Sequence, residues 1–356
     1  MNSYKYLYLL VLCISIQGGF ELYAQGTKES NLKNYLTGDS FSVHRFENNP
    51  LITGETHPDE AAFLDNVNGP SVIRVPKWVK EPLGAYYMYF SHHSGRFIRL
   101  AYSETPQGPW KWYDGGVLDF EDVAPYWNRK RGHLASPDVH VDHETEQIIM
   151  YYHRTLEKEV EIIGNQGSFV AVSDNGLKFR PTKDLLGHSY FRVFRYQGEW
   201  FALAKNKNIG GVLYKGQNSK YIFNSPTEAY YFFEGVRHTA VLPCENEIIV
   251  LYSIIGDTPE RIRVRSLNVG NYESGDITLG VEFDLISPEF EYEGSTLPIT
   301  SSVSGAAKHR VHELRDPAIL YDEGRIYVYY SIAGEYGIAG AELDVEGSFI
   351  NSCDSY

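Results

Sequence analysis

One strand pattern occurs five times along the chain, and no other feature narrows the fold as much. Each copy opens with a short strand: NGPSVIRV (68–75), ASPDVHV (135–141), SYFRVFRY (189–196), RHTAVLP (237–243) and RDPAILY (315–321). A turn follows, then a second and more regular strand: YYMYFSH (86–92), IIMYYHR (148–154), WFALAKN (200–206), IIVLYSI (248–254) and IYVYYSI (326–332). A third strand completes each unit: FIRLAYSE (97–104), FVAVSD (169–174), VLYKGQ (212–217), IRVRSLNV (262–269) and GIAGAELD (337–344). Helical periodicity is nearly absent after residue 25. Five antiparallel meanders in one chain predict an all-β fold, a five-bladed β-propeller, with about 66 residues per blade. A closed ring also leaves few exposed strand edges, which keeps so much strand in solution. The stretch 38–52 is expected to supply the strand that closes the ring, with insertions at 117–134 and 270–312. A β-sandwich is the alternative arrangement of the same strands.

The rest of the composition sets the surroundings. The chain has 356 residues, 43% hydrophobic and 22% charged, with a net charge of −14. That is a globular composition, and the acidic balance argues against a nucleic-acid partner. Residues 1–24 carry one lysine, an apolar run from Tyr6 to Ile16 and a cut site after Ala24. They read as a secretory signal peptide, too short to span a bilayer, and no later stretch is a membrane span. The expectation is a cleaved leader, one catalytic domain over 25–356, and a periplasmic or secreted protein. Beyond the leader only Cys244 and Cys353 remain. They make no disulfide framework and no zinc site, and Cys353 reads as structural or as an incidental tail residue.

A small or acidic residue, then proline, then a short β run, then a Tyr-rich second strand, resembles the five-bladed propeller glycosidases, glycoside hydrolase family 43 and its relatives. The resemblance covers nearly the whole mature chain and implies the propeller fold and a site at the mouth of a central funnel. In that family catalytic carboxylates sit just before the proline-type position of certain blades, as Asp, Asp and Glu in blades one, three and four. Here the matching column reads Gly69, Ser136, Tyr190, His238 and Asp316. Only Asp316 is acidic, and it falls in a blade where the family does not keep its catalytic acid. Two positions on, the column reads Ser71, Asp138, Arg192, Ala240 and Ala318. The second strands end near the same mouth with His92 or His93, His153 with Arg154, and Lys205 with Asn206.

Such a pocket is rich in His, Tyr and Arg and poor in paired carboxylates. It suits removal of the C5 proton of a uronic acid, followed by loss of the group at C4. The expected acid/base groups are His238, Tyr190 and His153, with Asp138 and Asp316 as the carboxylates. Arg192, Arg237 and Arg315 are expected to hold the substrate carboxylate, with His140 and His92 beside them. The expected partner is an acidic oligosaccharide, a sulfated algal uronan of the ulvan type being one source, acted on by a lyase or a dehydratase. The chain is similar to known His/Tyr/Arg propeller lyases, and to an oligosaccharide dehydratase of ulvan degradation, in residue types.

A divergent hydrolase of the arabinofuranosidase or xylosidase type is the rival, using Asp138, Asp316 and Glu234. A non-catalytic sugar-binding propeller is the third reading. No cofactor is expected, and a structural calcium or sodium ion is the one addition the resemblance allows. HHSGR (92–96) and VHVDH (139–143) lack metal-ligand spacing on a shared face. The acidic run FEYEGS (290–295) reads as a solvated loop.

Overall fold

A computed structural model of the chain describes residues 40–56, 66–123, 132–245, 247–345 and Cys353. The leader and its cut site lie outside the described residues.

The repeat becomes five antiparallel sheets. The innermost strands are Asn68–Arg74, Leu134–Asp142, Ser189–Tyr196, Val236–Pro243 and Arg315–Asp322. Each pairs with a second strand, and that strand with a third. This is the five-bladed propeller that the repeat predicts. The stretch expected to close the ring does so: Phe41–Arg45 lies antiparallel to Ile338–Val345 and is the outer strand of blade five.

The second strands are apolar because both their faces pack against neighbouring blades. Tyr86–Ser91 is buried along its whole length. Their tyrosines fill those interfaces while the hydroxyls reach backbone across blades. Tyr89 donates to the Gly176 carbonyl at 3.1 Å, Tyr151 to Lys220 at 2.8 Å and Tyr329 to Pro106 at 2.8 Å. Tyr89, Tyr151 and Tyr329 thereby acquire a structural use.

Two expectations are corrected. Cys353 is not incidental: it forms a disulfide with Cys244, at the end of the innermost strand of blade four. FEYEGS is not simply solvated. Glu293 is fully buried; it accepts from Arg45 Nε at 2.8 Å and from Tyr330 at 2.8 Å. It anchors the closing strand by its terminal arginine.

Every innermost strand carries a bulge at the same place. Pairing slips between Asn68 and Ser71, Ala135 and Asp138, Ser189 and Arg192, Val236 and Thr239, and Arg315 and Ala318. A bulge turns a side chain out of the ladder, here toward the funnel mouth. At this slot Gly69, Ser136, Tyr190 and Asp316 have φ of 62°, 49°, 63° and 51°. Left-handed backbone at three non-glycine residues, repeated around one mouth, is local strain of about 1–3 kcal/mol each of the sort that gathers at functional sites.

Candidate active site at the funnel mouth

The bulge register changes the alignment of blade four. One residue past Asn68, Ala135, Ser189, Val236 and Arg315, the slot holds Gly69, Ser136, Tyr190, Arg237 and Asp316. Arg237, not His238, is the counterpart of Tyr190. His238 occupies the place of Pro70, Pro137 and Pro317. Three past the reference, blade four has Thr239, not Ala240. The sequence column was one residue out because blade four has no proline to fix its phase.

A cavity of about 290 Å³ opens at this mouth. His238, Tyr190, His153, Asp316 and Arg237 all line it. Tyr190 is the middle of an aromatic stack, its ring centroid 4.3 Å from His153 and 4.0 Å from His238. His133 continues the stack beyond His153 at 5.4 Å. His238 Nδ1 meets Asp316 Oδ1. The other oxygen of Asp316 accepts from Ser331 Oγ at 3.0 Å. A proton on Nδ1, facing that carboxylate, would leave the lone pair of Nε2 for chemistry.

Burial governs the protonation states. It pushes His238 and His153 well below the ordinary histidine range, helped by the positive charges of Lys205 and Arg192. Burial and nearby His93 bring His133 down to about 4. Tyr190 is pushed up to about 12 by burial and the charge of Glu335, so its hydroxyl keeps its proton. The site at neutral pH thus holds neutral imidazoles as acceptors and a phenol as donor.

The arginines do not face the cavity as free cations. Arg237 gives Nε and Nη2 to the two oxygens of Glu260 at 2.6 and 2.8 Å, and Nη2 also reaches the Val303 carbonyl at 2.7 Å. Arg315 is buried below the cavity against Glu313 and Glu335. Arg192 crosses the funnel as a backbone clamp, giving Nε to the Thr239 carbonyl at 3.0 Å and Nη1 to Pro137 at 3.3 Å. The sequence assigned these three to the substrate because a buried arginine demands an acceptor. The protein itself supplies those acceptors, save for Arg192 Nη2, which has no hydrogen-bond partner among the described residues.

Asp138 and His140 lie elsewhere, with Arg192, in a second cavity of about 660 Å³ further along the axis. His140 Nε2 and Asp138 Oδ2 are 2.8 Å apart, and the same oxygen accepts from Val193 N at 2.9 Å. Ser71 does the same one blade earlier, accepting from Val139 N at 2.9 Å. Ser71, Asp138 and Arg192, at the same register position, each tie their blade to the next. His92 lies off the mouth cavity, and His93 lines it instead, with Nδ1 3.3 Å from Glu335. Glu234 is exposed on the outer strand of blade three. No cluster of metal-holding side chains occurs among the described residues, and no helix there is long and apolar enough to cross a membrane.

Lys205 and Glu335 also line the cavity. Sequence reasoning placed Lys205 near the mouth but did not select it. The register does: Lys205 pairs with Ser189 as His153 pairs with Ala135. Glu335 comes from the turn after the second strand of blade five, outside the repeated strands, where the repeat gives no signal. Asn66 Nδ2 at 2.7 Å and Arg315 Nη1 at 3.1 Å hold its carboxylate.

Comparison with known proteins places this geometry in context. No family model matches the chain. An uncharacterized protein of Acanthamoeba polyphaga mimivirus is 30% identical over 337 residues, covering 86% of this chain and 91% of its own. A GH43_1 enzyme of Xanthomonas citri complexed with xylotriose superposes with a TM-score of 0.52 at 14% identity, over 86% of this chain and 90% of that one. A putative glycoside hydrolase of Bacteroides ovatus gives 0.59 at 13% identity, over 85% and 96%. A GH43 beta-xylosidase/alpha-arabinofuranosidase from a compost microbial metagenome gives 0.53 at 15%, over 88% and 98%. These likenesses show the fold of family 43.

Proposed function

The chain belongs to one family with the uncharacterized mimivirus protein, and we propose that its mouth cavity is the active site of a carbohydrate-active enzyme. Its chemistry is β-elimination at a uronic acid. The observation that carries this reading is the Tyr190–His238 stack with Asp316 behind His238. His238 Nε2 takes the C5 proton. The C5–H electron pair forms the C4–C5 double bond, the C4–O bond breaks, and the leaving oxygen takes the proton of the Tyr190 hydroxyl. If the leaving group is a sugar the reaction is that of a lyase; if it is a hydroxyl, that of a dehydratase. Hydrogen bonds and cations at the cavity wall offset charge developing on the substrate carboxylate.

Hydrolysis is the second reading, favoured by the printed activities of the structural neighbours. It would draw on the two carboxylates of the cavity, Asp316 and Glu335. Two-carboxylate hydrolysis requires one carboxyl to stay protonated as the acid. Glu335 is instead held ionised by His93 and Arg315, and Asp316 is engaged by His238 and Ser331. An exported protein fits the 1–24 segment, and a disulfide fits an oxidising compartment.

The test incubates the purified protein with a panel of saturated uronic-acid oligosaccharides, following ultraviolet absorbance and product mass together. Rising absorbance with loss of one water, or with chain splitting, supports elimination. Flat absorbance with hydrolytic gain of water overturns it in favour of the second reading.

A further inference from the structure

Four carboxylates surround the mouth cavity or lie beneath it, and all are committed; Glu313 is held by Arg315. Glu260 is held by Arg237 through two bonds. Glu335 is held by Asn66, Arg315 and His93, and Asp316 by His238 and Ser331. Lys207, which also lines the cavity, gives Nζ to the Glu161 carbonyl at 3.0 Å, and one buried cation is left over. Lys205 is 8% exposed and lines the cavity. Among the described residues it has no ion pair or hydrogen bond, and its ammonium lies 5.2 Å from the Tyr190 ring centroid. A buried ammonium without a counter-charge is unfavourable, so it either sheds its proton or meets an anion.

We propose that Lys205 is the anion-binding subsite of the cavity, taking a carboxylate or sulfate group of the sugar beside Tyr190. The inference rests on the mouth cavity being the sugar site, but holds for either bond chemistry. Burial, reinforced by Arg237 and Arg315 against Glu260 and Glu335, brings the amine down to about 7. An arriving anion restores the charge, so binding takes up a proton at neutral pH. Tyr190, His93, His133, His153, His238, Arg237, Lys207, Asp316 and Glu335 also face this space. The four histidines and the two carboxylates are the other groups able to accept a proton there.

Calorimetry of the full chain, in two buffers of different protonation enthalpy, measures that proton directly. The probes are glucuronate, a sulfated glucose, inorganic sulfate and glucose. The expected result is anion binding with uptake of about half a proton near neutrality, and weaker binding of glucose. Lys205→Met should weaken anion binding at least about tenfold. Lys205→Arg should keep the binding but abolish the uptake, because guanidinium is always charged. That second variant separates Lys205 from the histidines. Glucuronate against the sulfated glucose tells which anion is read. Binding of inorganic sulfate alone, with uptake, keeps the anion subsite and removes the carbohydrate reading. The inference is overturned if Lys205→Met binds the anions as wild type does, if Lys205→Arg still takes up a proton, or if no anion binds.

Discussion

The rings of Tyr190 and His238 lie 4.0 Å apart, centroid to centroid, although the two residues come from neighbouring blades and different bulge positions. The left-handed backbone of Tyr190, with φ of 63°, swings its side chain out of the ladder and over the funnel. His238 reaches the same space from one residue further along its own strand, with Asp316 at its back. A donor and an acceptor thus share one wall of a small cavity.

That juxtaposition predicts the effect of removing either group. Tyr190→Phe and His238→Ala should each lower turnover by about 10²–10⁴ on the true substrate. The change should appear in kcat, with near-ultraviolet circular dichroism unchanged. Full activity in either variant removes that residue from the chemistry.

Arg237 behaves differently, because its partner is Glu260 and not a ligand. Arg237→Leu leaves the buried Glu260 carboxylate with Arg315 alone, 3.7 Å away, and should cost about 3–5 kcal/mol of stability. Urea denaturation measures it. A variant of unchanged stability that has lost only substrate affinity would return Arg237 to the binding role expected from sequence.

The Cys244–Cys353 bond ties residues 109 positions apart. Cross-linking so long a loop restricts the unfolded chain, worth about 2–4 kcal/mol in typical cases. Cys353→Ser, or reduction, should lower the thermal midpoint. An unchanged midpoint would show that the tail contributes nothing to the ring.

Acid should destabilise the protein before its carboxylates titrate. His133 and His188 are each brought down to about 4 by burial, while the unfolded chain holds them near about 6.5. Between those values the unfolded state binds more protons, so stability falls with pH, by up to about 3 kcal/mol for each histidine. His153 and His238 act in the same direction. Glu247, raised to about 7 by burial, opposes them, because its folded form binds the proton first. Glu313, also raised by burial, acts with Glu247, and the four histidines against these two glutamates give a net loss. Urea midpoints at about pH 7 and about pH 5 check the sign.

The sequence was readable where the physics is local. Period-two strands and their turns identified five blades, and a strand before residue 52 was expected to close the ring. Phase across the bulge was another matter. Gly69–Pro70, Ser136–Pro137 and Asp316–Pro317 mark their slots by proline, whereas blade four carries Arg237 and His238 with nothing to say which comes first. Whether a buried arginine serves a ligand or the protein depends on distant acceptors such as Glu260, Thr239 and Glu313, which no local pattern reveals. Lys205 stood out only once every neighbouring carboxylate could be assigned to another partner.

The most direct measurement uses a uronic-acid oligosaccharide carrying deuterium at C5 of the residue attacked. Proton abstraction there predicts loss of the label from the unsaturated product, and slower turnover than with the unlabelled sugar. A product that keeps its deuterium, formed at the unlabelled rate, would contradict elimination and assign the cavity to hydrolysis.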